Sequence, residues 1–364
     1  FVNMAVETAQ FGMPAKFELP HLGSYPPIEV YDPNVESVPI EEIVKLGEEL
    51  IAEVTNHTPG IICEAGVAKV ITSVHIINSR GGEASYKESV FSLGIEGNLI
   101  RGTDMLFVGE GKSSCRPLTQ SKAVADVVLR QLELAKDQAS APNRPLPVIF
   151  TPNGVASALI LPLMAAFNGK TVLKGASPIG DKLGQQVFDK KLSLWDDPTI
   201  AYRPNSRPCD DEGIPSQRTP LIEEGTVAHF LYDLQTAALA NTQSTGNGDR
   251  NGGLPSPSPS AFIIAPGDAT FDEMVSDIKE GLIIEHLMGA EQGNILGGDF
   301  SGNVLLGYKV EGGKIVGRVK DTMVSGNVYQ VLKQIVAIGS DAKWVGSSVN
   351  TPHLYCPSLS VASK

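Results

Sequence analysis

What most constrains this chain is the way small, polar, glycine-rich blocks punctuate its second half. They run Asp210-Asp211-Glu212-Gly213-Ile214-Pro215-Ser216-Gln217-Arg218-Thr219, then Ser244-Thr245-Gly246-Asn247, then Met288-Gly289 with Gly297-Gly298-Asp299-Phe300-Ser301, then Ser325-Gly326-Asn327. Such residues turn a chain or bond its backbone locally. The apolar runs between them therefore read as short paired strands. Leu221-Ile222 faces Val227 to Leu231 across Glu223-Glu224-Gly225-Thr226, and Leu305 to Val310 faces Lys314 to Val319 across Glu311-Gly312-Gly313. Asn241 to Ser260, rich in Gly, Ser, Pro and Asn, reads as a long loop.

The first half is organised differently. Residues 1 to 35 carry prolines and aromatics without periodicity and read as an extended segment packed over a domain. Ile40, Ile43, Val44, Leu46, Leu50, Ile51 and Val54 recur at helical spacing behind Pro39 and Glu41-Glu42, so Pro39 to Thr55 is an amphipathic helix. Two β-rich runs, Val67 to Asn78 and Ser89 to Ile95, flank the turn Ser79-Arg80-Gly81-Gly82 and continue as antiparallel strands through Asp104 to Gly109. Gln120 to Gln138 is a second helix, and Ala139 to Pro147 reads as a linker. Strand Pro147 to Phe150, the turn Thr151 to Gly154 and an apolar helix to Phe167 open the second domain. The expected fold is α+β with two domains. Residues 1–143 form an antiparallel sheet with long helices, and residues 144–364 a β-rich, barrel-like mixed sheet with helices.

A chain of 364 residues can bury a core in each. Its net charge of −12, without a run of Lys and Arg, argues against a nucleic-acid surface. The longest apolar stretch, Val155 to Phe167, is too short to span a bilayer and is interrupted by Pro162, so no membrane segment is expected. Cys63, Cys115, Cys209 and Cys356 are scattered, and no export signal opens the chain; a reducing cytoplasmic setting fits.

Zinc-protease chemistry needs two histidines on one helix with a glutamate as base. The six histidines here are never closer than eighteen residues, and Glu285-His286, the one Glu-His neighbour pair, lies in an apolar run that reads as a strand. His353 and Cys356 make at most a pair of ligands. Gly109-Glu110-Gly111-Lys112-Ser113-Ser114 lacks the leading glycine of a phosphate loop, Leu106 standing there, and reads as a strand-end loop. Gly175 to Gly180 misses the nucleophile-elbow spacing. The carboxylates Asp210 to Glu212 read as a turn paired with Arg203, Arg207 and Arg218 in preference to a cation site. Ser244 to Asn247 and Ser325 to Asn327 either present donors to a peptide or partner, or do ordinary turn and capping work.

Taken in order and at these separations, the four glycine-rich blocks resemble the TldD/PmbA family, and within it the PmbA (TldE) branch. TldD-type chains carry a His-Glu-x-x-x-His zinc helix; the matching region here, Val148 to Phe167, holds Ser157-Ala158-Leu159-Ile160-Leu161-Pro162-Leu163-Met164. The resemblance spans roughly Pro147 to the C-terminus and implies a subunit with no catalytic residue, cofactor or metal of its own. Such a subunit pairs with a TldD-like zinc protease chain, zinc residing on that partner, and acts on peptides or unfolded polypeptides, leader peptides included; a homodimer is possible in isolation. The loops that would touch peptide or partner hold Asp211, Arg218, Ser244, Thr245, Gly246, Asn247, Gly298, Asp299, Ser301, Ser325, Gly326 and Asn327. The chain begins at Phe1, and the resemblance implies that an upstream strand and helix are missing from it. The older family label, modulator of DNA gyrase, gains nothing from an acidic chain. A stand-alone metal-dependent hydrolase and a homodimeric peptide-binding protein are the alternatives.

Overall fold

The computed structural model describes residues 1–12, 14–21 and 23–363. Helix α1 (Ile40–His57) buries Leu46, Leu50 and Val54 on one stripe, as its spacing requires. It packs on a three-stranded antiparallel sheet of β1 (Ile62–Ile77), β2 (Glu83–Arg101) and β3 (Asp104–Ser114). Gly109 to Ser114 lies inside β3, paired with Glu96 to Phe91, and is strand where a strand-end loop was expected. Its glycines add no bulk that would stop the ladder. Helix α2 (Lys122–Leu134) lies beside α1.

Strand β4 (Leu146–Phe150) leads into two helices, α3 (Pro152–Ala158) and α4 (Ile160–Phe167), instead of one. The break at Leu159 has a local cause. Pro162 cannot donate to Ala158 O, and its ring crowds that carbonyl. Strands β5 (Glu280–Met288), β6 (Asp299–Glu311), β7 (Lys314–Val319), β8 (Thr322–Asn327) and β9 (Leu354–Ser363) complete the main sheet. The order β5-β4-β9-β8-β6, with β6 returning to β5, closes a five-stranded barrel; only β4 and β5 run parallel within it. A six-stranded sheet built from 194–196, 219–223, 226–227, 262–264, 343–345 and 349–351 lies alongside.

The alternation of the barrel strands divides the core. Val148, Phe150, Leu282 and Ile284 pack with Leu159 and Leu163 on one face. Ile149, Ile283, Tyr308 and Tyr355 face the other way, toward α1, α2 and the β2 residues Phe91, Leu93 and Ile95.

Residues 14–21 and 23–32 run extended, as expected for this part of the chain. Val30 O accepts from Ser89 N and Glu29 O from Tyr202 N, which lays the segment across β2 and the 202–213 loop. Val2–Ala9, however, is helical with no residue buried; Met4, Ala5, Glu7 and Ala9 favour helix ahead of the first proline. No helix of the described residues is long and apolar enough to cross a membrane.

Candidate functional site

A cleft of about 1170 Å3 lies between the β1–β3 sheet and the barrel. Its floor is set by register. Gly66 pairs with Gly94 and Gly94 with Gly111, so three glycines stand side by side across three strands. The next rows are Ala68, Ser92 and Ser113 on one side, and Glu64, Glu96 and Gly109 on the other. A glycine inside a strand costs about 0.5–1 kcal/mol relative to alanine. Nothing at Gly66 demands it, because a Cβ there would meet no atom within 4 Å, and at Gly111 the nearest atom would be 3.7 Å away. The result is a strip without side chains, flanked by small residues on one side and by Glu64 and Glu96 on the other, and a bare strip of this kind is found where another backbone or a ligand comes close.

The facing wall comes from α3 and β5. Ladder pairing shifts between Ile284, His286 and Leu287, so Glu285 sits in a β-bulge and, with His286, lines the cleft. Thr151 caps α3 by accepting from Gly154 N at 3.3 Å, and its hydroxyl lies 3.1 Å from Glu285 Oε2. Ser157 Oγ accepts from Leu287 N at 3.2 Å and donates to Gly154 O at 3.1 Å. These bonds lock the start of α3 to the bulge. Burial pushes the Glu285 carboxyl above its ordinary range, against the opposing pull of Thr151 and Lys343, and burial depresses His286. The third wall is the 345–347 loop, held to β3 by the Lys343–Glu110 ion pair and by Ser113 Oγ donating to Gly346 O at 3.3 Å.

The donors at the cleft decide whether zinc could be held there. Zinc takes imidazole, thiolate or carboxylate ligands that converge on one point. The α3 residues at the cleft are Asn153, Ala156 and Ser157, and from Pro152 to Phe167 there is no His, Cys, Asp or Glu. His353 packs against Phe271 with ring centroids 4.7 Å apart and ring planes tilted by 42°. Cys356 is buried opposite Val148 in the barrel, its thiol pushed up by burial to about 12. Among the described residues no group of three or more His, Cys, Asp or Glu is placed to hold a metal ion. The residues at this site do not fit zinc.

The loop residues nominated from the sequence fall into two other places, and none lines the cleft. The first gathers around buried carboxylates. Asp210 accepts from Glu212 N, Ile214 N and Gly248 N at 2.8–3.0 Å. Asp211 accepts from Arg250 N at 2.8 Å, with Arg207 at 3.5 Å. Asn247 donates to Asp196 Oδ2 at 2.6 Å, and Ser244 and Thr245 donate to Tyr232 O. Gly246 has φ +74°, and a Cβ there would lie 2.8 Å from Pro215 O. Burial raises Asp196 to about 6 and Glu212 to about 7. The acidic block is thus a turn, as expected, but backbone amides satisfy it more than arginines do. Arg218 stacks on Trp195 at 4.0 Å and Arg203 on Trp344 at 3.9 Å.

The second place is one end of the barrel. Ser301 stands opposite Ser325, and Gly326 opposite Phe300, where Leu359 leaves no room for a Cβ. Gly298, at φ +80°, lies under the Tyr329 ring. Asn327 donates to Asp299 Oδ1 at 2.8 Å and caps the helix Val328–Val331.

Comparison with known proteins agrees with this architecture. Residues 143–363 match the family model described as PmbA/TldA metallopeptidase C-terminal domain. An uncharacterized protein of Methanocaldococcus jannaschii is 29% identical over 308 residues, 82% of this chain and 71% of its own length. The metalloprotease PmbA of Escherichia coli O157:H7 is 28% identical over 60% of this chain, a match spanning less than half (46%) of that protein. The crystal structure of TldE from Thermococcus kodakarensis superimposes with a TM-score of 0.86 at 22% identity, covering 100% of this chain and 84% of the other.

Proposed function

Because the chain belongs to the PmbA/TldD metallopeptidase family, we propose that it is the TldE-like, non-catalytic subunit of a two-chain protease. It pairs in the cytoplasm with a TldD-like chain that holds the zinc. The observation that carries this reading is the chemistry of α3. By the family resemblance this helix stands where TldD-type chains carry their zinc helix, and it faces the cleft with Asn153, Ala156 and Ser157, none of which can ligate zinc or serve as a general base at neutral pH. What this chain contributes is a wall and a floor for an extended polypeptide. The glycine row gives a backbone close passage without selecting side chains. β1, an edge strand of 16 residues, offers unpaired amides and carbonyls for strand addition. Sequence-tolerant binding of this kind suits peptide maturation and the removal of unfolded polypeptides.

Elemental analysis of the purified chain, with casein cleavage assayed alone and after adding a TldD-like partner, tests the proposal. Zinc near zero and cleavage only with the partner is the expected result. Stoichiometric zinc with chelator-sensitive cleavage by this chain alone would overturn it.

A further inference from the structure

A second cavity, of about 630 Å3, shares no lining residue with the cleft. It lies where segment 178–188 meets the turn at Gly297 and the helix Val328–Val331. Asn327 Nδ2 donates to Gly297 O at 2.7 Å and so joins two of the glycine-rich blocks at its rim. The base is apolar and fixed. Ile179 and Phe188 are buried, and the Tyr329 hydroxyl lies 3.3 Å from Pro162 O and 3.4 Å from Leu296 O, which pins its ring.

The remaining lining is polar and cationic, from Lys182, Gln186, Gln330 and Lys333. Among the described residues Lys333 has no ion-pair partner, and Lys182 pairs only with its exposed neighbour Asp181, at 2.9 Å. No Asp or Glu lines the cavity, although the chain carries 41 of them and a net charge of −12. An anion brought here meets two ammonium groups with no lining carboxylate to oppose them.

We propose that this cavity binds an organic carboxylate with a compact apolar or aromatic body. The carboxylate meets the ammonium groups of Lys182 and Lys333 and the amide N–H donors of Gln186 and Gln330, while the body covers Phe188 and Tyr329. A hydrated inorganic anion satisfies the lysines and leaves the apolar base wet, so it binds less well. A free small-molecule acid and the carboxyl terminus of a polypeptide share this chemistry. The site is separate from the cleft and stands whether or not the chain is a protease subunit.

Isothermal titration of the whole chain with N-acetylphenylalanine, its uncharged amide, inorganic phosphate and the peptide Ala-Ala-Ala-Phe tests the proposal. The acid is expected to bind with a Kd on the order of 1 mM at low salt, with the amide and phosphate at least about tenfold weaker. Lys333→Gln and Lys182→Gln each weaken the acid by about fivefold, and the double variant by more; a thermal melt confirms that these surface changes leave the fold intact. A peptide that binds as tightly as the acid identifies a polypeptide terminus as the ligand, and a weaker peptide identifies a free acid. Equal binding of acid and amide, no heat with any probe, or an acid affinity indifferent to both lysine changes overturns the proposal.

Discussion

The glycine row on the cleft floor separates structural need from functional need. The perturbation is Gly66→Val. A Cβ at Gly66 meets nothing within 4 Å, so the position opens into free space and a small side chain is expected to fit there. Removing glycine from a strand relieves about 0.5–1 kcal/mol of unfolded-state entropy, and a β-branched side chain suits a pleated surface. The variant should therefore be more stable by about 0.5–1 kcal/mol, a rise of a few degrees at most in Tm. At Gly94 a Cβ would lie 3.2 Å from Glu110 O and 3.4 Å from Gly111 Cα. Gly94→Val should consequently be neutral or cost up to about 1 kcal/mol. Both valines stand in the bare strip. Urea melts read the stability, and cleavage of an unfolded polypeptide by the chain assembled with a TldD-like partner reads the function, expected to fall about tenfold or more in Gly66→Val. A variant that is more stable and still supports cleavage at the original rate would refute the strip as a polypeptide passage. One that loses stability would show that the fold itself needs the glycine.

Two further perturbations probe the supports of the site. Gly154→Ala places a Cβ 2.2 Å from Ile284 O, so α3 must move off the bulge of β5; despite alanine's better helix propensity, a net loss of about 1–3 kcal/mol in urea melts is expected, and unchanged stability would mean α3 is not seated as described. Burial, with Arg130 and Lys343 adding to it and Asp341 opposing, depresses His353 to about 4. The unfolded chain, with histidine near 6.5, then binds more protons than the folded one between those values, so this contribution is complete above about pH 6.5 and is lost on the way down to pH 4. It is on the order of 1–2 kcal/mol after allowing for partial exposure. His353→Phe, which keeps a ring against Phe271, should flatten the acid limb in urea melts between pH 7 and 4, and coincident slopes would dismiss the assignment.

Local patterns in the sequence carried much of the first half. Helix α1 and the β1–β2 hairpin are legible because their periodicity and turn residues act over a few positions. The barrel is less so, since its closure depends on β5 pairing with both β4 and β6, contacts between residues more than a hundred positions apart in the first case. The glycine row illustrates the limit. Gly66, Gly94 and Gly111 are unremarkable singly, and only the register of two hairpins aligns them. Glu285 reaches the cleft through a bulge, and an alternating strand pattern does not announce a bulge. The loop residues mislead for a different reason. Ser244, Thr245 and Asn247 have the same composition whether their donors face a ligand or the chain itself, and here Tyr232 O and Asp196 take them.

The cleft's remaining chemistry bears on whether the chain could hydrolyse a peptide without a metal. Nucleophilic catalysis needs a nucleophile within hydrogen-bond reach of a base. Glu285 is the titratable group that burial and the bulge tune, but its hydroxyl neighbour, Thr151, is committed to capping α3 and lies 3.3 Å from Ile284 O. Ser157 donates to Gly154 O and accepts from Leu287 N, so its oxygen is occupied on both sides. His286, depressed by burial, hydrogen-bonds to neither hydroxyl among the described residues. Both hydroxyls on this wall, those of Thr151 and Ser157, thus serve position: they hold α3 against β5.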